Sequence, residues 1–247
     1  MGDRLIYMVD FTPLRPKIVL GIAAHPDDLD FGAAGTMAAF AASGASVHYL
    51  IITDGSKGSS DTKTSSSDLI KIREQEQRRA VEILGGKTVD FLGYPDGELE
   101  VTLQLKREVV KVIRSIRPDV VVTMDPGMLY SAERGFINHP DHRAAGQAAL
   151  DAVFPLARDH LTFPELYAQG FKPHKTKTVL LINFDKHNFV MDVSKTFAKK
   201  IEALKAHDSQ IPDIKLVRER FEGWARIIGQ EAGYKLGESF VRIDLPD

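Results

Sequence analysis

The sequence predicts an α/β fold of the Rossmann-like kind, with three layers (α/β/α), a mostly parallel sheet and a C-terminal elaboration. Short apolar runs alternate with helical stretches, a pattern typical of βαβ units. The runs are nearly continuous in apolar residues, as expected for strands buried on both faces of a parallel sheet. With 247 residues, we expect a single domain over 1–247, with a Rossmann-like core of about 17–160 and an elaboration of about 170–247.

The core elements follow in order along the chain. Strands are predicted over 17–24, 46–53, 88–93 and 119–124. Helices are predicted over 33–43, 69–84 and 101–117, and another is predicted in the second half of 138–154. Gly44, Gly85 and Pro118 stand where these helices should stop. In the elaboration, strands are predicted over 178–183 and 189–193, and helices over 194–206 and 214–230.

Composition and charge exclude several classes of function. The formal net charge is −2, which offers no electrostatic reason to bind nucleic acid or a membrane surface. There is no cysteine, so disulfides, thiolate metal sites and a cysteine nucleophile are ruled out. No apolar run is long enough to span a bilayer, and the first residues do not have the pattern of a signal peptide. We therefore expect a cytoplasmic protein without a membrane span.

Two clusters of acid–base residues follow predicted strands. His-Pro-Asp-Asp at 25–28 ends the first strand, and His-Pro-Asp-His at 139–142 follows the fourth. In open α/β sheets, ligands bind beyond the carboxyl ends of the strands. The two clusters should therefore face one crevice.

Imidazole and carboxylate groups together form a typical ligand set for zinc. His25, Asp28 and His142 could supply three ligands and leave a fourth position open, as in catalytic zinc sites. Iron(II) accepts the same groups, so the sequence does not separate Zn²⁺ from Fe²⁺.

The remaining members of the two clusters suit metal-assisted hydrolysis of an amide or ester. Asp27 is free to take a proton from the water that the metal activates. His139 could polarise a carbonyl oxygen or protonate a leaving group, and Asp141 could hold His139 in the charged state that this role requires.

A structural alternative exists for each cluster alone, because His-Pro often forms a turn and Asp often caps a helix. Asp28 or Asp30 could cap the helix that follows, and Asp141 could cap the next one. Two such clusters at matching strand ends favour function, because burying so many charged groups is costly without a partner ion. For Asp30 itself we predict a helix cap.

Several segments resemble the LmbE-like, or PIG-L-like, metal-dependent N-deacetylases, and they occur in the expected order along most of the chain. They are AHPDD (24–28), GAAGT (32–36), TDG (53–55), RxxEQxxAxxxLG (73–85), HPDHRAAG (139–146), HDSQ (207–210) and GESF (237–240). The resemblance implies removal of acetyl from an N-acetylglucosamine unit by a single divalent metal, usually zinc. It also implies a small N-acetylated amino-sugar substrate and a homo-oligomer, since relatives form trimers and hexamers.

Transferred onto this chain, the family roles coincide with those assigned from the residues: His25, Asp28 and His142 as ligands, Asp27 as base, His139 and Asp141 as the second catalytic pair. The resemblance further implies substrate contacts for Arg73 and His207. One position departs from the pattern, because Leu29 stands where relatives often have Glu.

Other interpretations remain open. An amidase that removes a larger group from a sugar or thiol conjugate would use the same residues, and so would a metal-binding protein of this fold without turnover. A dinucleotide-binding protein is disfavoured because the G-x-G-x-x-G turn is absent after the first strand.

The loop 125–138 is either a lid or a surface loop, and Tyr130 and Arg134 on it are candidate sugar contacts. Trp224 is expected in the core.

Overall fold

A computed structural model describes residues 14–59 and 61–246. Its strands are β1 (Ile18–Ala23), β2 (Ser46–Thr53), β3 (Thr88–Tyr94), β4 (Val120–Met124), β5 (Tyr130–Ser131), β6 (Phe136–Ile137), β7 (Thr178–Ile182), β8 (Phe189–Asp192) and β9 (Gly237–Asp244). Its helices are α1 (Asp28–Ala42), α2 (Ser66–Leu84), α3 (Leu103–Ile116), α4 (Pro140–Asp151), α5 (Pro164–Ala168), α6 (Phe197–Lys205) and α7 (Ile214–Glu231). An irregular helical segment, Ala152–Leu156, continues α4.

Seven strands form one sheet in the order β3-β2-β1-β4-β7-β9-β8. The first five in this order pair in parallel, β9 is antiparallel to β7, and β8 is antiparallel to β9. The strand order reverses between β1 and β4, which is the position where open α/β sheets bind ligands. The predicted α/β fold with a mostly parallel sheet is confirmed.

Helices cover both faces of the sheet. One apolar cluster joins it to α1, α2 and α6, through residues such as Phe40, Ala80 and Ala203. A second cluster on the other face joins it to α3 and α4, through residues such as Val109 and Ala148. This burial explains why the central strands are almost continuously apolar. No helix in the described ranges is both long and apolar enough to cross a membrane.

The structure differs from the predicted elements in several places. β9 was not predicted; it lies between β7 and β8, so the C-terminal part extends the main sheet. The hairpin of β5 and β6 and the short α5 were also not predicted. α1 begins at Asp28 rather than at residue 33, because the turn before it ends in the left-handed conformation of Asp27, with φ 92°.

Candidate functional site

Two turns bring three imidazole rings together at the carboxyl ends of β1 and β4. The ring centroid of His25 lies 4.7 Å from that of His139 and 5.3 Å from that of His142, and the latter two are 5.4 Å apart. The prediction that the two His-Pro-Asp clusters face one crevice is therefore confirmed.

The first turn is shaped by its own hydrogen bonds. Asp27 adopts a left-handed backbone, which Asp tolerates better than most residues. Asp28 then starts α1, and its Oδ2 accepts a hydrogen bond from the backbone N–H of His25 at 2.8 Å. This bond leaves Oδ1 of Asp28 as the oxygen that is free to bind a ligand.

The second turn is the N-terminus of α4. His139 is the N-cap, and its Nδ1 accepts the backbone N–H of Asp141 at 3.2 Å. Pro140 occupies the first helical position, where its missing N–H has no cost. Gly146 allows α4 to approach the end of β4 closely, because a β-carbon there would collide with the carbonyl oxygen of Met124. That approach brings His142, one turn earlier on the helix, to the site.

Three side chains that could bind a metal meet where the turns come together. Oδ1 of Asp28 lies 2.9 Å from Nε2 of His142, and Oδ2 of Asp28 lies 3.4 Å from Nδ1 of His25. These are the three residues predicted from the sequence as metal ligands.

The far nitrogen of the His25 ring is held by two carboxylates. Its Nε2 lies 3.1 Å from Oδ1 of Asp96 and 3.2 Å from Oδ2 of Asp141. Carboxylates accept hydrogen bonds, so Nε2 carries the proton in the neutral ring, and Nδ1 presents a lone pair toward Asp28.

An equivalent arrangement holds His142. Its Nδ1 lies 3.0 Å from Oδ1 of Asn138, whose Nδ2 donates to the carbonyl oxygen of Met128 at 2.7 Å. That second bond sets the orientation of the amide, so Oδ1 is the acceptor and Nδ1 of His142 is the donor. Nε2 of His142 therefore also presents a lone pair toward Asp28.

These contacts fit a divalent metal ion. In the neutral rings, the lone pairs of His25 and His142 face the carboxylate of Asp28, and the contacts between them are made either by ring protons or by a metal cation. Acceptors on the far nitrogens are what metal-binding histidines typically have. The ring nitrogens of His139 also lie within 4.8 Å of those of the other two histidines. Because Nδ1 of His139 accepts a backbone N–H, however, its neutral ring has the proton on Nε2 and offers no lone pair there.

A second acidic group, formed by His25, Asp96 and Asp141, also has donor atoms within 4.8 Å of one another. Here backbone amides already bind the carboxylates. Gly97 and Leu99 donate to Asp141 at 2.6 and 3.3 Å, and the amide of Lys57 donates to Asp96 at 3.0 Å. This group supports His25 rather than forming a separate metal site.

The structure gives Asp141 a contact that the sequence does not predict. The carboxylate of Asp141 contacts His25, and only its backbone amide bonds to His139. The side chain of Asp141 thus makes no hydrogen bond to His139, although its charge acts to raise the pKa of that ring, and the predicted support of His139 by Asp141 stays a prediction. Burial, together with the charge of the nearby His25, lowers the pKa of His139.

Charges at the centre are strongly coupled. Burial opposes charge on His25, yet the carboxylates of Asp28 and Asp96 raise the pKa of its ring to about 10. Burial likewise opposes ionisation of Asp28, but His142 and His25 hold its pKa well below the usual value. The carboxylates thus attract positive charge to this point, which a divalent cation would supply.

Asp27 has a different environment from Asp28. Burial raises the pKa of its carboxyl to about 7, although the guanidinium of Arg73 acts in the opposite direction. Nη2 of Arg73 lies 3.3 Å from Oδ2 of Asp27 and also donates to the carbonyl oxygen of Pro26 at 2.8 Å, while Nη1 donates to that of Gly55. Arg73 is buried and holds the turn, and its contact with substrate stays a prediction.

Asp30 and His207 also differ from their predicted roles. Both are fully buried, and Nε2 of His207 lies 2.8 Å from Oδ2 of Asp30. The same oxygen accepts from Nε2 of Gln77 at 2.9 Å, and Oε1 of Gln77 accepts the backbone N–H of Asp27 at 2.7 Å. Asp30 is thus no helix cap, and the fully buried ring of His207 presents no surface to a substrate. We name Gln77, Asp30 and His207 the α2 support, because they hold the backbone of Asp27.

A cavity of about 490 Å³ opens beside the centre, with Asp28 and His142 in its wall. Trp224 lines it and is half-buried, so the prediction of a core position is wrong. Arg134 also lines the cavity, and its guanidinium lies 4.8 Å from the ring centroid of Trp224. Tyr130 is 62% exposed and is not among the residues that line this cavity.

Three residues of the site were missed by sequence reasoning: Asp96, Asn138 and Gln77. Each had a signal. Asp96 follows β3 at the same edge of the sheet, Asn138 directly precedes the second cluster, and Gln77 lies in the RxxEQ segment. None of these signals shows which ring or backbone group the side chain reaches.

Comparison with known proteins identifies the family of this chain. The model of the family described as PIG-L, GlcNAc-PI de-N-acetylase, matches residues 20–153, which is more than half of the chain. The chain belongs to the PIG-L family. The matched range contains both His-Pro-Asp clusters and all three donors.

Proteins similar to this chain match nearly its whole length. The diacetylchitobiose deacetylase of Thermococcus kodakarensis is 35% identical over 242 residues, which are 95% of this chain and 87% of that protein. The structure of N,N'-diacetylchitobiose deacetylase from Pyrococcus horikoshii has a TM-score of 0.84 and 30% identity, and the match covers 93% of this chain and 84% of that one. The conserved protein TT1542 from Thermus thermophilus has a TM-score of 0.75 and 27% identity, with 94% and 96% covered.

Proposed function

We propose that this PIG-L family protein is a zinc-dependent N-deacetylase that acts on an N-acetylglucosamine unit in a small sugar or conjugate. One observation carries the proposal: lone pairs of His25, Asp28 and His142 converge, and the far nitrogen of each ring is tied to an acceptor. The names of the diacetylchitobiose deacetylases to which the chain is similar support the choice of substrate.

His25, Asp28 and His142 would hold the metal. When bound, a divalent ion at this position polarises a carbonyl oxygen and lowers the pKa of water. Zinc suits two imidazoles and one carboxylate, and iron(II) is the alternative.

Asp27 is assigned as the general base. Its carboxylate is beside the donors but takes no part in the donor set, and Arg73 holds it at 3.3 Å. A base works best when its pKa lies near the working pH, and burial of Asp27 favours that condition. Asp27 accepts a proton from water as the oxygen of that water bonds to the acetyl carbon.

His139 is assigned as the group that stabilises the oxyanion. The backbone amide of Asp141 donates to its Nδ1, so the neutral ring carries its proton on Nε2. A hydrogen-bond donor held in advance at this position stabilises the charge that develops on the carbonyl oxygen. The C–N bond then breaks, Asp27 returns its proton to the amine, and acetate and the free amino sugar leave.

Acetate release tests the proposal. The protein, loaded with zinc or iron(II), is incubated with N-acetylglucosamine, diacetylchitobiose and an inositol-linked N-acetylglucosaminide, each with and without a chelator. We expect release that the chelator abolishes and that added metal restores. His142→Ala should lose the bound metal and the activity, whereas His160→Ala, on an exposed side chain, should keep both.

Two results would change the proposal. Release that persists in the fully chelated protein would exclude the metal mechanism. A protein that binds one metal per chain but cleaves nothing would be a metal-binding protein of this fold without turnover. The single domain over 1–247, the cytoplasmic location, the homo-oligomer and the absence of nucleic-acid partners stay predictions.

A further inference from the structure

The walls of the 490 Å³ cavity are mainly apolar. Apart from the donors Asp28 and His142, ten residues line it, and eight of them have apolar side chains. These eight are Phe31, Met124, Phe136, Phe184, Leu216, Val217, Phe221 and Trp224.

The two remaining lining residues are Arg134 and Arg220. The guanidinium of Arg134 bonds to Asp185 at 2.9 Å, and both guanidinium groups lie over the Trp224 ring, at 4.8 and 5.2 Å from its centroid. Beyond Asp28, no lining residue offers a carboxylate, amide or hydroxyl oxygen. Sugar hydroxyls that entered this cavity would lose water and find few acceptors in return, which is unfavourable.

The size and position of the cavity point to part of a substrate. Binding sites for small molecules commonly have volumes of about 300–1,000 Å³, mostly apolar walls and a few polar groups. The cavity shares Asp28 and His142 with the metal centre, so a group placed here would be joined to the scissile amide by only a few bonds. A pocket for a separate binding partner would not need to share Asp28 and His142 with the metal centre.

We propose that the cavity binds an apolar substituent on the amino sugar, so that the substrate is an N-acetylglucosaminide with an alkyl or aryl aglycone. This inference rests on the proposed deacetylase function and narrows it. The acetyl group needs little room, so the large apolar cavity serves the other side of the amide. Phe184, Phe221 and Trp224 form a continuous aromatic wall, with ring centroids 5.9 and 5.7 Å apart, against which such a group would pack.

Three probes test this: methyl N-acetylglucosaminide, hexyl N-acetylglucosaminide and N-hexanoylglucosamine. We expect kcat/KM for the hexyl glycoside to exceed that of the methyl glycoside by about tenfold or more, because the hexyl chain buries apolar surface. Equal values would overturn the proposal. A faster reaction with N-hexanoylglucosamine than with the hexyl glycoside would also overturn it, because the cavity would then serve the acyl group.

A binding measurement separates this proposal from the deacetylase function. Trp224 is the only tryptophan of the chain, so its emission reports on this cavity and on the small neighbouring pocket that it also lines. We expect the hexyl glycoside, but not the methyl glycoside, to shift the emission to shorter wavelength. An emission shift without acetate release would support the apolar subsite and refute the deacetylase function. Acetate release without an emission shift would support the deacetylase function and refute the subsite.

Two matched variants on α7 provide the control. Leu216 lines the cavity and is 64% exposed, whereas Ile227 is 60% exposed and does not line it. Leu216→Asn should reduce the preference for the hexyl over the methyl glycoside at least threefold, and Ile227→Asn should leave it unchanged. Because both side chains are exposed, neither change threatens folding. An equal loss of preference in both variants would contradict a specific subsite.

Discussion

The two His-Pro-Asp tripeptides are identical in sequence but make different contacts. In the first, His25 is a candidate metal ligand, and Asp27, in a left-handed backbone, pairs with Arg73. In the second, His139 stands free and Asp141 supports a donor of the other cluster. The fourth residues, Asp28 and His142, are both candidate metal ligands, and Oδ1 of Asp28 lies 2.9 Å from Nε2 of His142.

The difference follows from where each helix begins. α1 begins at the fourth residue of its cluster, so Asp27 lies outside the helix and its side chain reaches Arg73. α4 begins at the second residue, so Asp141 lies in the first turn and points back to the His25 ring. The helix thus begins two residues earlier in the second cluster than in the first. This difference explains why Asp27 is a candidate base whereas Asp141 supports the His25 ring.

The largest effect is expected for Asp27→Asn. Asparagine tolerates the left-handed backbone, so the turn should persist while the base is lost. We expect kcat to fall about 100- to 10,000-fold, with the metal still bound. Kinetics and metal analysis of the same preparation measure both quantities. Asp90→Asn, on an exposed position of β3, is the control, and a variant with near-normal kcat would show that Asp27 is not the base.

A smaller effect of another kind is expected for Asp141→Asn. The change weakens the hold on the His25 ring, so metal affinity should fall about 10- to 100-fold. Titration of the metal-free protein with zinc measures this, and saturating zinc should restore most of kcat. If Asp141→Asn instead behaved like Asp27→Asn, with metal bound and kcat lost, the two aspartates would share one role. The inferred difference between the two clusters would then be refuted.

The smallest effect is expected in the α2 support. Gln77→Met removes the acceptor for the backbone N–H of Asp27 and the donor to Asp30 at similar side-chain size. We expect kcat to fall about tenfold through misplacement of Asp27, with KM and metal content little changed. Gln104→Met, on the exposed face of α3, is the control. A rise in KM with unchanged kcat would show instead that Gln77 acts on substrate binding.

Much of this site could be predicted because its donors lie in local patterns. A continuous apolar run predicts a buried strand, and polar residues directly after it predict a ligand site at the sheet edge. His25, Asp28 and His142 were found in this way, and the structure brings them together. β9 could not be found similarly, because its place between β7 and β8 depends on pairing with strands far away in sequence.

The sequence by itself predicted the fold class and two clusters of candidate ligands, because a buried strand and the polar residues that follow it are patterns of neighbouring residues. Only the tertiary structure decided which group each side chain serves. Asp141 reaches His25 across 116 positions, and His207 reaches Asp30 across 177. Such contacts arise when the helices pack on the sheet, and no local pattern encodes the distance between two atoms that meet in this way.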